Sequence, residues 1–111
     1  MDLKEEKVEG VTVVQVEGRL DSTTSPVLGE RLTAVLGAAS ARVLVDFSRL
    51  EYISSAGFRV LLLAAKRADQ NTAKLVLCGV SGKVRQLFDL GGFLDLFTIV
   101  GSREEGVAAA Q

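Results

Sequence analysis

Leu50-Glu51-Tyr52-Ile53-Ser54-Ser55-Ala56-Gly57-Phe58 is the stretch that organises this chain. It follows the run Val43-Leu44-Val45-Asp46-Phe47 and precedes Val60-Leu61-Leu62-Leu63-Ala64-Ala65. The first run is continuously apolar and β-branched, which reads as a strand covered on both faces. Residues 48–53 read as a loop. Residues 55–69 read as a helix that is apolar nearly all round and hence largely buried, with Arg59, Lys66 and Arg67 facing outward. Two consecutive serines therefore stand where a buried strand hands over to a buried helix. One of them can act as the helix N-cap, and Gly57 allows a close approach in the first turn. The position also presents unpaired N–H groups and the positive end of the helix dipole. A phosphate there would gain charge-assisted hydrogen bonds without breaking the fold, and would add roughly −1.5 to −2 charges to the surface. On these residues alone, a plain cap and a modifiable hydroxyl are both open.

The flanking sequence supplies the remaining elements. Upstream, residues 3–8 and 11–17 alternate as strands about the turn Glu9-Gly10 and predict a hairpin. Gly18 opens a polar stretch through residues 19–25. Ser25 and Pro26 then punctuate a helix start, and Leu28, Leu32, Val35 and Leu36 form its buried stripe, with Gly37 as a left-handed stop. Downstream, residues 74–78 predict a strand. Ser81 caps a helix carrying Val84, Leu87 and Phe88, which Gly91-Gly92 ends, and residues 97–100 predict a last strand. Ser102 and Glu105 have capping-box spacing for a short fourth helix, with residues 107–111 expected to fray. The alternation of strand and helix from Arg42 onward implies parallel strands. The expected class is α/β: one domain over residues 1–111, a mixed sheet of about four or five strands with an N-terminal hairpin, and about four helices.

Composition excludes several functions. The net charge of −1 gives no electrostatic footprint for nucleic acid or anionic membrane. No histidine is present, which removes Ser-His nucleophilic chemistry and most zinc sites. No phosphate-loop or dinucleotide fingerprint occurs. Gly79 and Gly82 flank a strand-to-helix turn that could face an anion, but a plain turn explains them better. Asp21 and Asp46 could be imagined as an acid–base pair, yet neither has a His, Lys or metal-ligand companion. The expectation is therefore a protein that is not an enzyme, with no metal and no cofactor. The single cysteine, Cys78, lies in an apolar strand and reads as a buried structural thiol. The charged N-terminus and the short longest apolar run, residues 60–65, predict a cytoplasmic protein without a membrane span.

Four segments in order resemble the STAS domains of bacterial anti-sigma factor antagonists. Gly18-Arg19-Leu20-Asp21 is similar to the family's Gly-x-Leu-Asp, and residues 43–47 to its central strand. Tyr52-Ile53-Ser54-Ser55-Ala56-Gly57 resembles its aromatic-Ile/Met-Asp-Ser-Ser/Thr-Gly turn, and residues 81–94 its third-helix segment. The resemblance implies a STAS fold and places the phosphoacceptor on Ser55. It places the family's Asp on Ser54 and its following Ser/Thr on Ala56. With that Asp replaced, Ser54 is a second candidate acceptor. The implied partner surface comprises Asp21, Ser22, Thr23, Thr24, Ser54, Gly57 and Arg59. The implied activity is partner switching. The unmodified protein binds an anti-sigma factor that is also a serine kinase of histidine-kinase-like ATPase fold, and so releases its sigma factor. Phosphorylation ends binding, and a metal-dependent serine phosphatase resets the protein. ATP and Mg²⁺ would belong to the kinase. The alternative is a STAS subunit docked constitutively on a transport or signalling complex, with Ser55 as a helix cap.

Overall fold

The computed structural model describes residues 1–111. The elements are β1 (Asp2–Val8), β2 (Val11–Leu20), α1 (Ser25–Val35), β3 (Arg42–Ile53), α2 (Ser55–Gln70), β4 (Lys74–Cys78), α3 (Gly82–Leu90), β5 (Thr98–Val100) and α4 (Arg103–Ala109), with a single 3-10 turn at Leu94–Leu96 before β5. The five strands form one mixed sheet in the order β1-β2-β3-β4-β5. β1 and β2 are antiparallel about Glu9-Gly10, both at positive φ, and the other neighbours are parallel. This is the expected α/β architecture with an N-terminal hairpin and four helices.

Side-chain alternation divides the core between the two faces of the sheet. Val14, Val16, Val43, Val45, Phe47 and Leu77 meet α1, α2 and α3 on one side, through Leu28, Leu32, Leu36, Phe58, Leu61, Val84 and Phe88. Phe88 lies at the centre of this core, with ring centroids 4.9 Å from Phe58 and 6.4 Å from Phe47. Val11, Val13, Leu44, Val76 and Cys78 turn to the other side and are covered by Val107 of α4 and by Ala110, the residue that follows it. The C-terminal segment is thus packed, contrary to the fraying expected for it. Ala110 is fully buried, and Gln111 donates from Nε2 to the Glu9 carbonyl at 3.0 Å. Ser102 caps α4 as its spacing predicts, accepting from the Glu105 N–H at 3.1 Å. Arg103 ties the helix down through Asp46 at 3.0 Å and through Glu6.

Three other boundaries differ from the sequence expectation. β2 continues past Gly18 to Leu20, and β3 runs through residues 48–53 rather than breaking into a loop, because each strand supplies the other's pairing partner: Gly18↔Leu50, Arg19↔Tyr52, Leu20↔Ile53. Register shifts at Gln15/Glu17 and Gly18/Arg19 bend this extension, and Gly18 absorbs the bend at φ 94°. α1 does not end on a left-handed Gly37. Arg67 and Asn71 of the α2 end cap its last carbonyls instead, Nε to Thr33 O at 3.0 Å and Nδ2 to Leu36 O at 2.7 Å. The left-handed residue falls at Ser40, φ 61°. Finally, α2 is amphipathic rather than buried all round. Phe58, Leu61, Ala64 and Ala68 face the core, while Leu62 and Leu63 are exposed along with Arg59 and Lys66, and Arg67 is half-buried.

Candidate partner-docking site

The bent β2/β3 extension carries the site. After the Leu20↔Ile53 pair, β2 turns into the residue 21–24 loop and β3 turns into α2, so both turns emerge side by side. The Ser54 N–H donates to Leu20 O at 2.9 Å and locks them together. Below, Gly57 is buried against both strand ends: a Cβ there would lie 2.7 Å from Ile53 Cγ1 and 3.0 Å from Leu20 Cδ2. Gly57, expected on the partner surface, is buried and seats α2 on the sheet. Beside it, the Arg19 guanidinium lies 4.3 Å over the Tyr52 ring and fixes the outer edge of the extension.

The loop before α1 is built around Asp21. Its Oδ1 accepts from the Thr24 N–H at 3.1 Å and the Thr23 N–H at 3.0 Å. The Thr24 hydroxyl accepts from the Asp21 N–H at 2.9 Å and donates to Arg19 O at 2.8 Å. The backbone N–H groups of Thr24 and Thr23 hold the Asp21 carboxyl below its ordinary value. Asp21 and Thr24 are accordingly half-buried and engaged in shaping the loop, while Ser22 and Thr23 are exposed. Thr24, not Ser25, is the N-cap residue of α1. Ser25 is buried and turns its hydroxyl back to donate to Asp21 O.

The two serines at α2 have different surroundings. Ser54 is the N-cap residue in extended geometry, φ −97° and ψ 175°, but its hydroxyl caps no backbone N–H. Ser54 Oγ is buried without a hydrogen-bond partner. Ser55, the first residue of the helix, is exposed. It shares the rim of a surface hollow of about 300 Å³ with Ser22, Pro26, Ala56, Arg59 and Val60. Among the residues expected to form the partner surface, the structure brings Ser22 and Arg59 to this hollow beside Ser55, with Thr23 exposed on the adjoining loop. Arg59 is exposed and makes no ion pair. Pro26, Ala56 and Val60 were not assigned to the partner surface from the sequence. Their meeting depends on the contact between α1 and α2, for which no local pattern codes.

Elsewhere the chemistry is structural. Asp46 pairs in register with Gln15, far along the strand from Asp21, so the two carboxylates form no acid–base pair. Burial pushes the Asp46 carboxyl up, but hydrogen bonds from Ser48 and Arg103 outweigh it and leave the group below its ordinary value. Burial, and then the neighbouring Asp46, push the Cys78 thiol up to about 12, so the thiol is inert. Gly79, at φ 73°, places its α-carbon against the Ser48 backbone, where a Cβ would lie 2.6 Å from Ser48 N. Close packing accounts for that glycine without an anion. No helix is long and apolar enough to cross a membrane.

Comparison with known proteins agrees with this fold. The family model described as STAS domain matches residues 3–106. BtrV of Bordetella bronchiseptica, named as a candidate anti-sigma factor antagonist, is 39% identical over 109 residues, covering 98% of this chain and 94% of BtrV. An anti-sigma factor antagonist from Mycobacterium paratuberculosis superimposes with a TM-score of 0.80 at 25% identity, over 98% of this chain and 92% of that one. The phosphorylated form of the Bacillus cell fate determinant SpoIIAA shares the fold, with a TM-score of 0.73 at 18% identity over 99% of this chain and 100% of that one. With its hairpin, its sheet order and its strand-to-helix serine turn all in place, the chain belongs to the STAS domain family.

Proposed function

We propose that this protein is an anti-sigma factor antagonist whose binding to an anti-sigma factor is switched by phosphorylation of Ser55. The observation that carries the reading is the contrast between the serines: Ser55 is exposed at the start of α2, whereas Ser54 Oγ is buried beneath it. The relatives' names support the antagonist role, and SpoIIAA is a phosphorylated protein of the same fold. In this reading the unmodified Ser55 hydroxyl, Ser22, Thr23 and Arg59 meet an anti-sigma factor that is also a serine kinase of histidine-kinase-like ATPase fold. The kinase supplies ATP and Mg²⁺, and this chain supplies the hydroxyl. A phosphate on Ser55 is tolerated by the folded protein, because the first turn of α2 holds no acidic residue to repel it and the helix dipole favours it. A partner seated on the hollow instead meets a desolvated dianion, and a like-charge or unpaired contact costs several kcal/mol. Binding therefore ends without rearrangement of the sheet. A metal-dependent serine phosphatase restores the hydroxyl.

The test is incubation with the ATPase-fold protein encoded nearest to this chain and Mg-ATP, followed by intact-mass and peptide mapping. One added phosphate on Ser55, none on Ser55→Ala, and loss of kinase binding by a folded Ser55→Glu are expected. Phosphate on Ser54, or a Ser55→Glu variant that binds normally, refutes the assignment.

A further inference from the structure

β1 is the long free edge of the sheet. Its seven residues pair with β2 without a register shift, and no strand lies on its other side. The opposite edge, β5, is only three residues long. The two-residue turn Glu9-Gly10, with φ positive at both residues, closes on the hydrogen-bonded pair Val8↔Val11. Counting back in twos, Glu6, Lys4 and Asp2 address β2, so the N–H and C=O groups of Leu3, Glu5 and Lys7 point away from the sheet. None of them takes part in a turn, loop or cap hydrogen bond. Lys4 and Glu6 lie on the face that α4 covers, since they stand opposite Gln15 and Val13. Lys4 pairs there with Glu17 at 3.3 Å, and Glu6 with Arg103 of α4. Glu5 lies on the other face and pairs with Arg31 of α1 at 3.0 Å.

We infer that β1 is a homodimerisation edge: two copies of the chain join antiparallel through β1, about a two-fold axis at Glu5, into one continuous sheet. Charges on a free edge usually guard it against pairing, and those of β1 do so against most strands. Against a second copy they do the reverse. Lys4 and Glu6 stand at equal distances on either side of Glu5, so the two-fold brings each Lys4 opposite Glu6 of the other copy. The outward groups of Leu3, Glu5 and Lys7 then all fall in hydrogen-bonded pairs. Lys4 and Glu6 take the non-hydrogen-bonded sites, where opposed side chains come closest. The row Glu17, Lys4, Glu6, Arg103, Asp46 across the join alternates in sign at every step. The two Glu5 carboxylates meet on the axis, each already neutralised by its own Arg31. Slipping the register by two residues shortens the overlap and sets Lys4 or Glu6 against its own counterpart. This complementarity selects a second copy as the occupant. The contact is smaller than the about 20–30 residues a side of a standard interface, so the dimer is weak and concentration-dependent. No β1 residue lines the hollow at Ser55, so that surface stays open in both copies, and the inference does not depend on the proposed function.

The experiment is sedimentation velocity and small-angle scattering of the full chain at low salt, over a series reaching millimolar concentration. A reversible, elongated dimer is expected for wild type. Glu5→Pro removes an outward N–H while sparing the β1–β2 ladder, and should give a monomer with a melting curve close to wild type. Lys4→Glu and Glu6→Lys should each weaken the dimer about tenfold or more, because both symmetry-related pairs turn repulsive. An equimolar mixture of these two variants should associate about as tightly as wild type, because every glutamate at position 4 or 6 then faces a lysine. The mixture also decides the matter if Glu5→Pro fails to fold. A wild-type chain that stays monomeric throughout overturns the inference. So does a dimer that survives both charge variants, a mixture that associates no better than its components, or a dimer dissolved by Leu63→Arg on the exposed side of α2.

Discussion

Gly57→Ala should destabilise the protein, although the same change in an ordinary helix stabilises it. Alanine gains up to about 1 kcal/mol over glycine in helix propensity. At Gly57 the new methyl would lie 2.7 Å from Ile53 Cγ1 and 3.0 Å from both Leu20 Cγ and Cδ2. Those side chains are 1% and 0% exposed, so neither can swing into solvent. Overpacking of this kind costs typically about 1–3 kcal/mol. Set against the propensity gain, the net loss is up to about 2 kcal/mol. At about 4 °C per kcal/mol for a chain of this length, that is a fall in Tm of up to about 8 °C. Gly29→Ala is the internal reference. It lies within α1, and its Cβ would meet Val60 at 3.4 and 3.6 Å, close to ordinary contact. It should raise stability by about 0.5–1 kcal/mol. Urea and thermal unfolding followed by circular dichroism measure both. A Gly57→Ala variant as stable as wild type would refute the claim that α2 is seated by close contact with the ends of β2 and β3. A phosphorylation rate unchanged from wild type despite the lost stability would show that the displacement stops short of Ser55.

Two further outcomes follow from the same geometry. Ser54→Ala should be neutral or stabilising by up to about 1 kcal/mol, since it removes a buried hydroxyl with no partner; a loss of about 1 kcal/mol in denaturant titration, the usual cost of removing a cap, would contradict this. Asp46→Asn should lower stability at neutral pH by about 1–2 kcal/mol, because it takes the charge from the pair with Arg103, which is only partly buried. The Asp46 carboxyl is held below its ordinary value of 3.8, so its contribution is complete above that value and disappears as pH falls through the lower folded value. The difference between variant and wild type should therefore close below about pH 4 in acid-unfolding curves, and a constant gap would show that Asp46 acts only by packing.

Period and punctuation made much of the fold legible in the sequence. Val11 to Val16 read as a strand, Pro26 and the Leu28-Leu32-Leu36 stripe as a helix, and Ser102 with Glu105 as a cap, because each signal is carried by neighbours within a few residues. The serine turn was legible only as one of four segments that in order resemble the STAS family, residues 52–57 by themselves fitting a plain helix cap equally. Several features were beyond such signals, because they depend on surfaces distant in sequence. Residues 48–53 became strand only because β2 lies alongside to pair with them. The tail became a packed helix because the outer face of the sheet left Leu44 and Cys78 to be covered. Leu63 stayed exposed because α1 and the sheet occupy only one side of α2. Local sequence signals do not separate the adjacent hydroxyls of Ser54 and Ser55, which only the family resemblance ranks. Tertiary structure separates them: the N-cap geometry and the Leu20 contact turn one inward, and the first helical turn presents the other to solvent. Local propensity sets where a helix starts, but burial is a property of what packs against it.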